Sequence, residues 1–286
     1  MRKPFWIHQR VWITGASSGI GAALAAALAR EGARLLLSGR DPGRLDAVRE
    51  TCLAAASAMA AGAKRGPEAM GGADAPPVQT LAFDLASIDA AAAAPAEAEA
   101  LMGGIDWLIN NAGMGQRGGA LETANDITAR LMTVNFLSPV ALTRGVLPGM
   151  LARGKGRVAA VTSLLAKFGA PQRSAYAASK HALHGWFDSL RAELAGTGVG
   201  VTLLAPGWVN TRISQNALQA DGGRHGEMDI GQSRGLAPDV CAARMLRALR
   251  KGKDEQLVGG YECGAVYIKR FFPGLLPKLL ARTGIG

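Results

Sequence analysis

The chain has 286 residues, 49% of them apolar, and 32 basic against 22 acidic side chains give a formal charge of +10. This suits one large domain or two small ones with a full core, and excludes disorder for most of the chain. No apolar run is long enough for a spanning helix, and Met1 to Arg10 lacks the apolar stretch of a signal peptide, so a cytoplasmic location is expected. Cys52, Cys241 and Cys263 lie far apart, and His181 and His184 share a helix face without a carboxylate cluster. Neither a disulfide framework nor a metal site is expected. The basic excess suits anionic partners such as nucleic acids, phospholipids or phosphorylated cofactors, although a genome-wide bias toward arginine codons accounts for it equally well. Aromatics are only 5% and no run of five like charges occurs, so nucleic-acid binding is not expected.

Strand and helix patterns alternate along the chain. Arg10 to Thr14 reads as a strand ending in a glycine-rich turn, and Ile20 to Arg30 as an alanine-rich helix. Ala33 to Ser38, with Leu35, Leu36 and Leu37 in succession, reads as a strand buried on both faces. Asp41 caps a helix to Ala61, with Pro42 at its first position. Val78 to Phe83 is a strand; Ser87 to Met102 is a helix that Pro95 breaks or delays; Asp106 to Asn110 is a strand. Thr123 to Leu151 reads as one long helical segment. Thr123 and Asp126 resemble a capping box, and Pro139 and Pro148 bend or end the helix locally. Arg157 to Thr162, Val199 to Leu204 and Gln256 to Val258 are strands, and Ser174 to Leu194 and Ala237 to Arg250 are helices.

This alternation predicts a three-layer α/β/α sandwich on a doubly wound parallel sheet of seven strands, a Rossmann-type single domain over residues 1–260 with an extension at 261–286. Two segments depart from the rhythm. Ala60 to Pro77, rich in Ala, Gly and Pro, reads as a surface insertion. Asn210 to Gly235, polar and glycine-rich, reads as a lid over the crevice.

The first strand runs into Thr14-Gly15-Ala16-Ser17-Ser18-Gly19-Ile20-Gly21, and a helix follows at once. Glycines let the backbone approach a pyrophosphate, and the helix start presents free N–H groups and positive dipole to it. The P-loop's Gly-Lys-Ser/Thr is absent, so a nucleotide hydrolase is disfavoured. The second strand ends in Ser38-Gly39-Arg40, where an acidic residue would bind the ribose hydroxyls of NAD. A guanidinium there binds a phosphate instead, which favours NADP(H). Asp84-Leu85 closes the third strand where an adenine would lie, although Asp84 also reads as a helix cap.

Tyr176 and Lys180 are four residues apart on one predicted helix, so they share a face. A nearby ammonium lowers the phenol pKa and makes the tyrosine a usable acid and base. Ser163 ends the fifth strand at the same edge of the sheet, where it can hold a substrate oxygen or cap the strand end.

The joint pattern resembles the short-chain dehydrogenase/reductase family, and within it the hydroxysteroid-dehydrogenase-like group. The stretches that carry the resemblance are Thr14 to Gly21, Asp84-Leu85, Asn110 to Gly113, Asn135, Ser163, Tyr176 with Lys180, and Pro206-Gly207 with Thr211, spread over residues 10–260. The subgroup likeness lies in Gly113 to Gln116 and Leu142 to Met150. The resemblance implies Tyr176 as catalytic acid/base and Ser163 as orienter of the carbonyl. It implies that Lys180 binds the nicotinamide ribose and depresses the tyrosine pKa, and that Asn135 holds a water of a proton relay. Gly15, Ser17, Ser18, Gly19, Ile20 and Gly21 would hold the pyrophosphate. Asn111, Ala112 and Gly113 would line the adenosine side and steady the sheet. Pro206, Gly207, Val209 and Thr211 belong to the nicotinamide end, where Val209 and Thr211 contact the carboxamide.

The expected function is NADP(H)-dependent interconversion of a carbonyl and an alcohol on a small lipophilic substrate, in a homodimer or homotetramer built through the helices at Thr123 and Ser174. A 3-oxoacyl-carrier-protein reductase and a non-catalytic NADPH-binding sensor or scaffold are the alternatives. In the tail, Phe271 to Leu280 mixes apolar and basic residues. This run can lie on a membrane surface, line a substrate mouth, or pack on the domain or a second subunit.

Overall fold

A computed structural model describes residues 5–62 and 77–283. Most of the insertion expected at Ala60 to Pro77 lies outside the described residues. Among them, seven strands form one parallel sheet in the order β3-β2-β1-β4-β5-β6-β7. They are β1 (Arg10–Thr14), β2 (Arg34–Gly39), β3 (Val78–Ala82), β4 (Trp107–Asn110), β5 (Gly156–Val161), β6 (Val199–Pro206) and β7 (Glu255–Val258). Ile13 pairs with Leu37 on one side and Ile109 on the other. The chain reverses its winding between β1 and β4, which opens a crevice at their C-terminal ends.

The period of two sorts each strand between two cores. Leu35 and Leu37 join Val11 and Ile13 under α1 (Gly19–Ala29), α2 (Pro42–Gly62) and α8 (Pro238–Arg250). Leu36 joins Trp12 on the opposite face, under α3 (Ile88–Met102), α5 (Ser138–Ala152) and α6 (Ser174–Glu193). A run of three leucines is therefore what a strand covered on both faces requires.

Three local expectations change. Pro95 does not break α3, which runs from its Ser87 cap to Met102. Pro95 is buried there, close enough to α5 that a Cβ on Gly145 would stand 2.4 Å from its Cγ. The predicted long helical segment is continuous but not uniform: α4 (Asn125–Met132) passes through a π-turn at Thr133–Leu137 into α5 with helical backbone at both junctions. Pro139 sits just past the π-turn, where its missing N–H leaves the Asn135 carbonyl without an i+4 donor, whereas Pro148, inside α5 and solvent-exposed, leaves the helix unbroken to Ala152. No capping box forms. The N-cap is Ala124, while the Thr123 hydroxyl donates to the Gly119 carbonyl at 2.7 Å. The cap expected at Asp41 does form, its carboxylate accepting the Arg44 N–H at 3.1 Å.

Candidate active site

The glycine turn is built from close backbone approach. Gly15 and Gly19 have φ of +65° and +56°, the left-handed region that favours glycine. A Cβ on Gly21 would stand 2.3 Å from the Gly15 carbonyl oxygen, and one on Gly15 2.7 Å from the Ala112 Cα. Ser18 is the N-cap of α1, yet its side chain makes no cap bond, so the first-turn N–H groups carry no side-chain acceptor. Ser17 stands beside the end of β2, since a Cβ on Gly39 would be 3.4 Å from its Oγ. Arg40 follows, solvent-exposed and without an ion pair among the described residues. Ile20 packs its apolar side against the core beneath α1. Thr211 stands over the turn from the opposite side, 3.1 Å from where a Gly19 Cβ would be.

The C-terminal ends of β1 and β4 are tied together. Asn111 donates its amide to the Thr14 and Gly15 carbonyls at 3.0 and 3.2 Å, and the Thr14 hydroxyl accepts the N–H groups of Asn111 and Ala112 at 3.1 and 3.2 Å. Asp84 makes a local turn to the Ala86 N–H at 3.0 Å, and the buried Leu85 accepts the Ser138 hydroxyl at 2.6 Å. Pro206 ends β6, Gly207 donates to the Val258 carbonyl at 2.9 Å, and the buried Val209 bridges to Leu236.

Asn135 lies fully buried in the π-turn. Its Oδ1 accepts the Met114 N–H at 2.8 Å, and its Nδ2 donates to the Met114 carbonyl and the Ser179 hydroxyl, both at 3.0 Å. Both amide hydrogens are thus spent. A Cβ on Gly113 would be 3.2 Å from Asn135 Oδ1 and 3.3 Å from Lys180 Nζ, so these three residues converge and glycine leaves the room between them.

Lys180 is buried, and its Nζ donates to the Val161 carbonyl at 3.0 Å. Burial pushes its pKa down to about 8. The ammonium lies 6.0 Å from the centre of the Tyr176 ring. The Ser163 side chain is within hydrogen-bond reach of the Tyr176 phenol, and its Oγ also accepts the Leu165 N–H at 3.1 Å. The structure therefore brings Ser163, Tyr176 and Lys180 together. Burial raises the phenol pKa, against the lowering influence of the Ser163 hydrogen bond and the charge of Arg173. Desolvation of the phenolate outweighs both, so the phenol stays protonated at neutral pH.

Four further residues carry this site: Gln116, at the end of the stretch that carries the subgroup likeness, and Arg117, Arg173 and Asp229, which have no signature of their own in the sequence. Gln116, fully buried, accepts the Tyr176 N–H on Oε1 at 3.1 Å and donates to the Thr123 hydroxyl at 2.8 Å. Arg173, the N-cap residue of α6, donates to the Gln116 carbonyl at 2.6 Å and pairs with Asp229 at 2.5 Å. Asp229 also pairs with Arg117. For Arg173 the only local signal is position: it precedes the Tyr176 helix. Through these contacts the segment expected as a lid is fastened to the loop after β4 and to the start of α6. Leu218 bonds both ways to the loop after β4, accepting the Arg117 N–H at 2.7 Å and donating to the Gly115 carbonyl at 3.0 Å. The short helix α7 (Ile230–Ser233) follows Asp229.

A seven-stranded Rossmann-type sheet, a glycine turn at its switch point and a Ser-Tyr-Lys cluster at the same edge define a class of oxidoreductase. The short chain dehydrogenase family matches residues 9–65 and 57–222, and the chain belongs to it. The Bos taurus protein "Dehydrogenase/reductase SDR family member 7B" is 38% identical, with 96% of this chain and 83% of that protein covered. The Anopheles gambiae "Dehydrogenase/reductase SDR family protein 7-like" is 37% identical over 93% of this chain and 80% of its own. Among solved structures, a metagenomic short-chain oxidoreductase in complex with NADP superposes with a TM-score of 0.67 at 31% identity, covering 88% of this chain and 97% of that one. No helix among the described residues is long and apolar enough to cross a membrane.

Proposed function

We propose that the chain interconverts a carbonyl and an alcohol on a small lipophilic substrate with NADP(H), and that Tyr176 delivers and removes the proton. The carrying observation is the convergence of Ser163, Tyr176 and Lys180 beside a glycine turn whose helix start has no side-chain cap. The residues present fit the cofactor. Gly15 to Gly21 leave space and free N–H groups for a pyrophosphate, and Arg40, without an ion pair among the described residues, suits a ribose phosphate. The NADP held by the metagenomic relative supports the same choice. The Asn111 tie and the Asp84-Leu85 turn frame the adenosine side, while Pro206, Gly207, Val209 and Thr211 border the nicotinamide end.

When bound, the nicotinamide supplies or accepts the hydride. Ser163 holds the substrate oxygen against the Tyr176 phenol. The phenol, kept protonated by burial, is ready to donate as the carbonyl becomes an alcohol. Lys180 holds the ribose and returns a proton to the tyrosine; a pKa of about 8 lets it do both near neutral pH. Asn135, its side-chain amide spent, offers the relay water its main-chain oxygen. The likeness of Gly113 to Gln116 and Leu142 to Met150 to the hydroxysteroid-dehydrogenase-like group supports a lipophilic substrate. The family supports a homodimer or homotetramer through the faces of α4 and α6. The unbridged Cys52, Cys241 and Cys263 support a reducing, cytoplasmic setting.

The test is loss of NADPH absorbance over a panel of ketones and aldehydes. Wild type turns over at least one of them. Tyr176→Phe binds NADPH equally but is slower by about 10²–10⁴-fold, the worth of a positioned proton donor. NADPH binding without turnover of any carbonyl by wild type assigns a sensor instead.

A further inference from the structure

The last two helices carry a surface that the redox chemistry does not use. They are α9 (Gly264–Phe271) and α10 (Leu275–Thr283), separated at Pro273. Helical spacing sorts their side chains. Val266, Ile268, Leu276 and Leu280 pack with Leu164 and Phe168 on the catalytic domain. On the outer side, Tyr267 and Phe271 are 59% and 68% exposed, Phe272 between the helices is 63% exposed, and Leu275 is 45% exposed. Large apolar side chains left in water on consecutive turns of one segment form a patch, not a scatter.

The charge beside this patch has one sign. From Cys263 to Gly286 there are four basic residues, Lys269, Arg270, Lys278 and Arg282, and no acidic one. Lys269, Arg270 and Lys278 have no ion pair among the described residues. A second copy of this chain seated face to face would bring these cations against one another. A surface of anionic phospholipid accepts both halves of the pattern: acyl chains take the aromatics, and headgroups take the cations. We propose that α9 and α10 dock the protein on an anionic phospholipid surface, with Phe271, Phe272 and Leu275 entering the acyl boundary and Lys269, Arg270 and Lys278 meeting the headgroups. The inner side of the same helices rests on the segment after Ser163, so docking places the catalytic edge next to the lipid. The contact itself does not depend on the redox assignment.

The test is co-sedimentation of the full chain with vesicles of phosphatidylcholine alone or with added phosphatidylglycerol. Wild type binds the phosphatidylglycerol vesicles, and raised salt releases it. Each cation near such a surface contributes about a fivefold gain in partition, so Lys269→Glu/Arg270→Glu/Lys278→Glu lowers binding about a hundredfold. Phe271→Ser/Phe272→Ser lowers it by about tenfold or more while leaving thermal unfolding unchanged. Absence of phosphatidylglycerol-dependent binding overturns the proposal, as does equal binding by both variants. Sedimentation velocity adds a further check. If wild type self-associates and Phe271→Ser/Phe272→Ser abolishes only that, the face belongs to a second copy.

Discussion

The side-chain oxygen of Gln116 accepts the backbone N–H of Tyr176 at 3.1 Å, while its amide donates to the Thr123 hydroxyl at 2.8 Å. One fully buried side chain thus fastens the first turn of the catalytic helix to the loop after β4 and to the approach of α4. Gln116→Leu fills similar space but leaves the Tyr176 N–H without its acceptor. The expected cost is about 1–3 kcal/mol, read as a lower Tm. Because the phenol is carried on that turn, kcat falls more than KM rises. Steady-state kinetics beside a thermal melt separates this from a purely structural loss, in which the folded fraction keeps its full kcat.

Arg40 governs cofactor choice through charge. It is exposed, has no ion pair among the described residues, and directly follows Gly39, where a Cβ would stand 3.4 Å from Ser17 Oγ. Arg40→Asp replaces a phosphate-binding fork by a group that repels phosphate and bonds ribose hydroxyls. Fluorescence titration is expected to show NADPH binding weakened by about tenfold or more and NADH binding improved. A wild type that binds NADH more tightly than NADPH refutes this reading of Arg40.

Lys180 makes stability depend on pH. Its pKa falls from 10.5 in the free side chain to about 8 in the fold. Below pH 8 both states carry the proton, and the folded state bears the cost of a buried charge. Between pH 8 and 10.5 the unfolded chain still binds the proton and the folded chain does not, so this group's contribution favours folding increasingly as pH rises. Lys180→Met removes the dependence. Urea unfolding from pH 7 to 10.5 should show the variant's advantage over wild type shrinking by about 3 kcal/mol across that window. A constant difference would mean that the ammonium is not desolvated.

Asp229 holds two cations. It pairs with Arg173 at 2.5 Å and with Arg117, whose Nε and Nη1 are buried without partners. Asp229→Asn leaves both guanidinium groups short of a counter-charge, a loss of about 3–5 kcal/mol for a buried pair. Amide hydrogen exchange over 210–235 should accelerate, because this pairing is what fastens that segment to the loop after β4 and to the start of α6. Arg173, freed of its carboxylate, acts more strongly on the phenol, so the alkaline limb of the pH–rate profile moves to lower pH.

Much of the site was legible because its elements are local. The glycine turn, the i,i+4 pair of Tyr176 and Lys180, and the strand-end Ser163 each occupy a few consecutive residues whose spacing carries their geometry. The pieces that differ depend on tertiary packing or on loop geometry that helical periodicity does not carry. Pro95 was expected to break α3, but Gly145 on α5 makes room for it there. Thr123 was read as a capping box, but it answers instead to Gly119 and Gln116.

The sequence by itself determined the alternation of strand and helix, the doubly buried β2, and the residue types gathered at the C-terminal edge of the sheet, because periodicity and turn chemistry act over a few residues. Tertiary structure alone decided the electrostatics. The phenol responds to burial and to Arg173, Lys180 loses proton affinity to its buried setting, and Asp229 reaches across 56 positions to Arg173. Desolvation and long-range pairing depend on what surrounds a group in space, and no window of neighbouring residues contains that information.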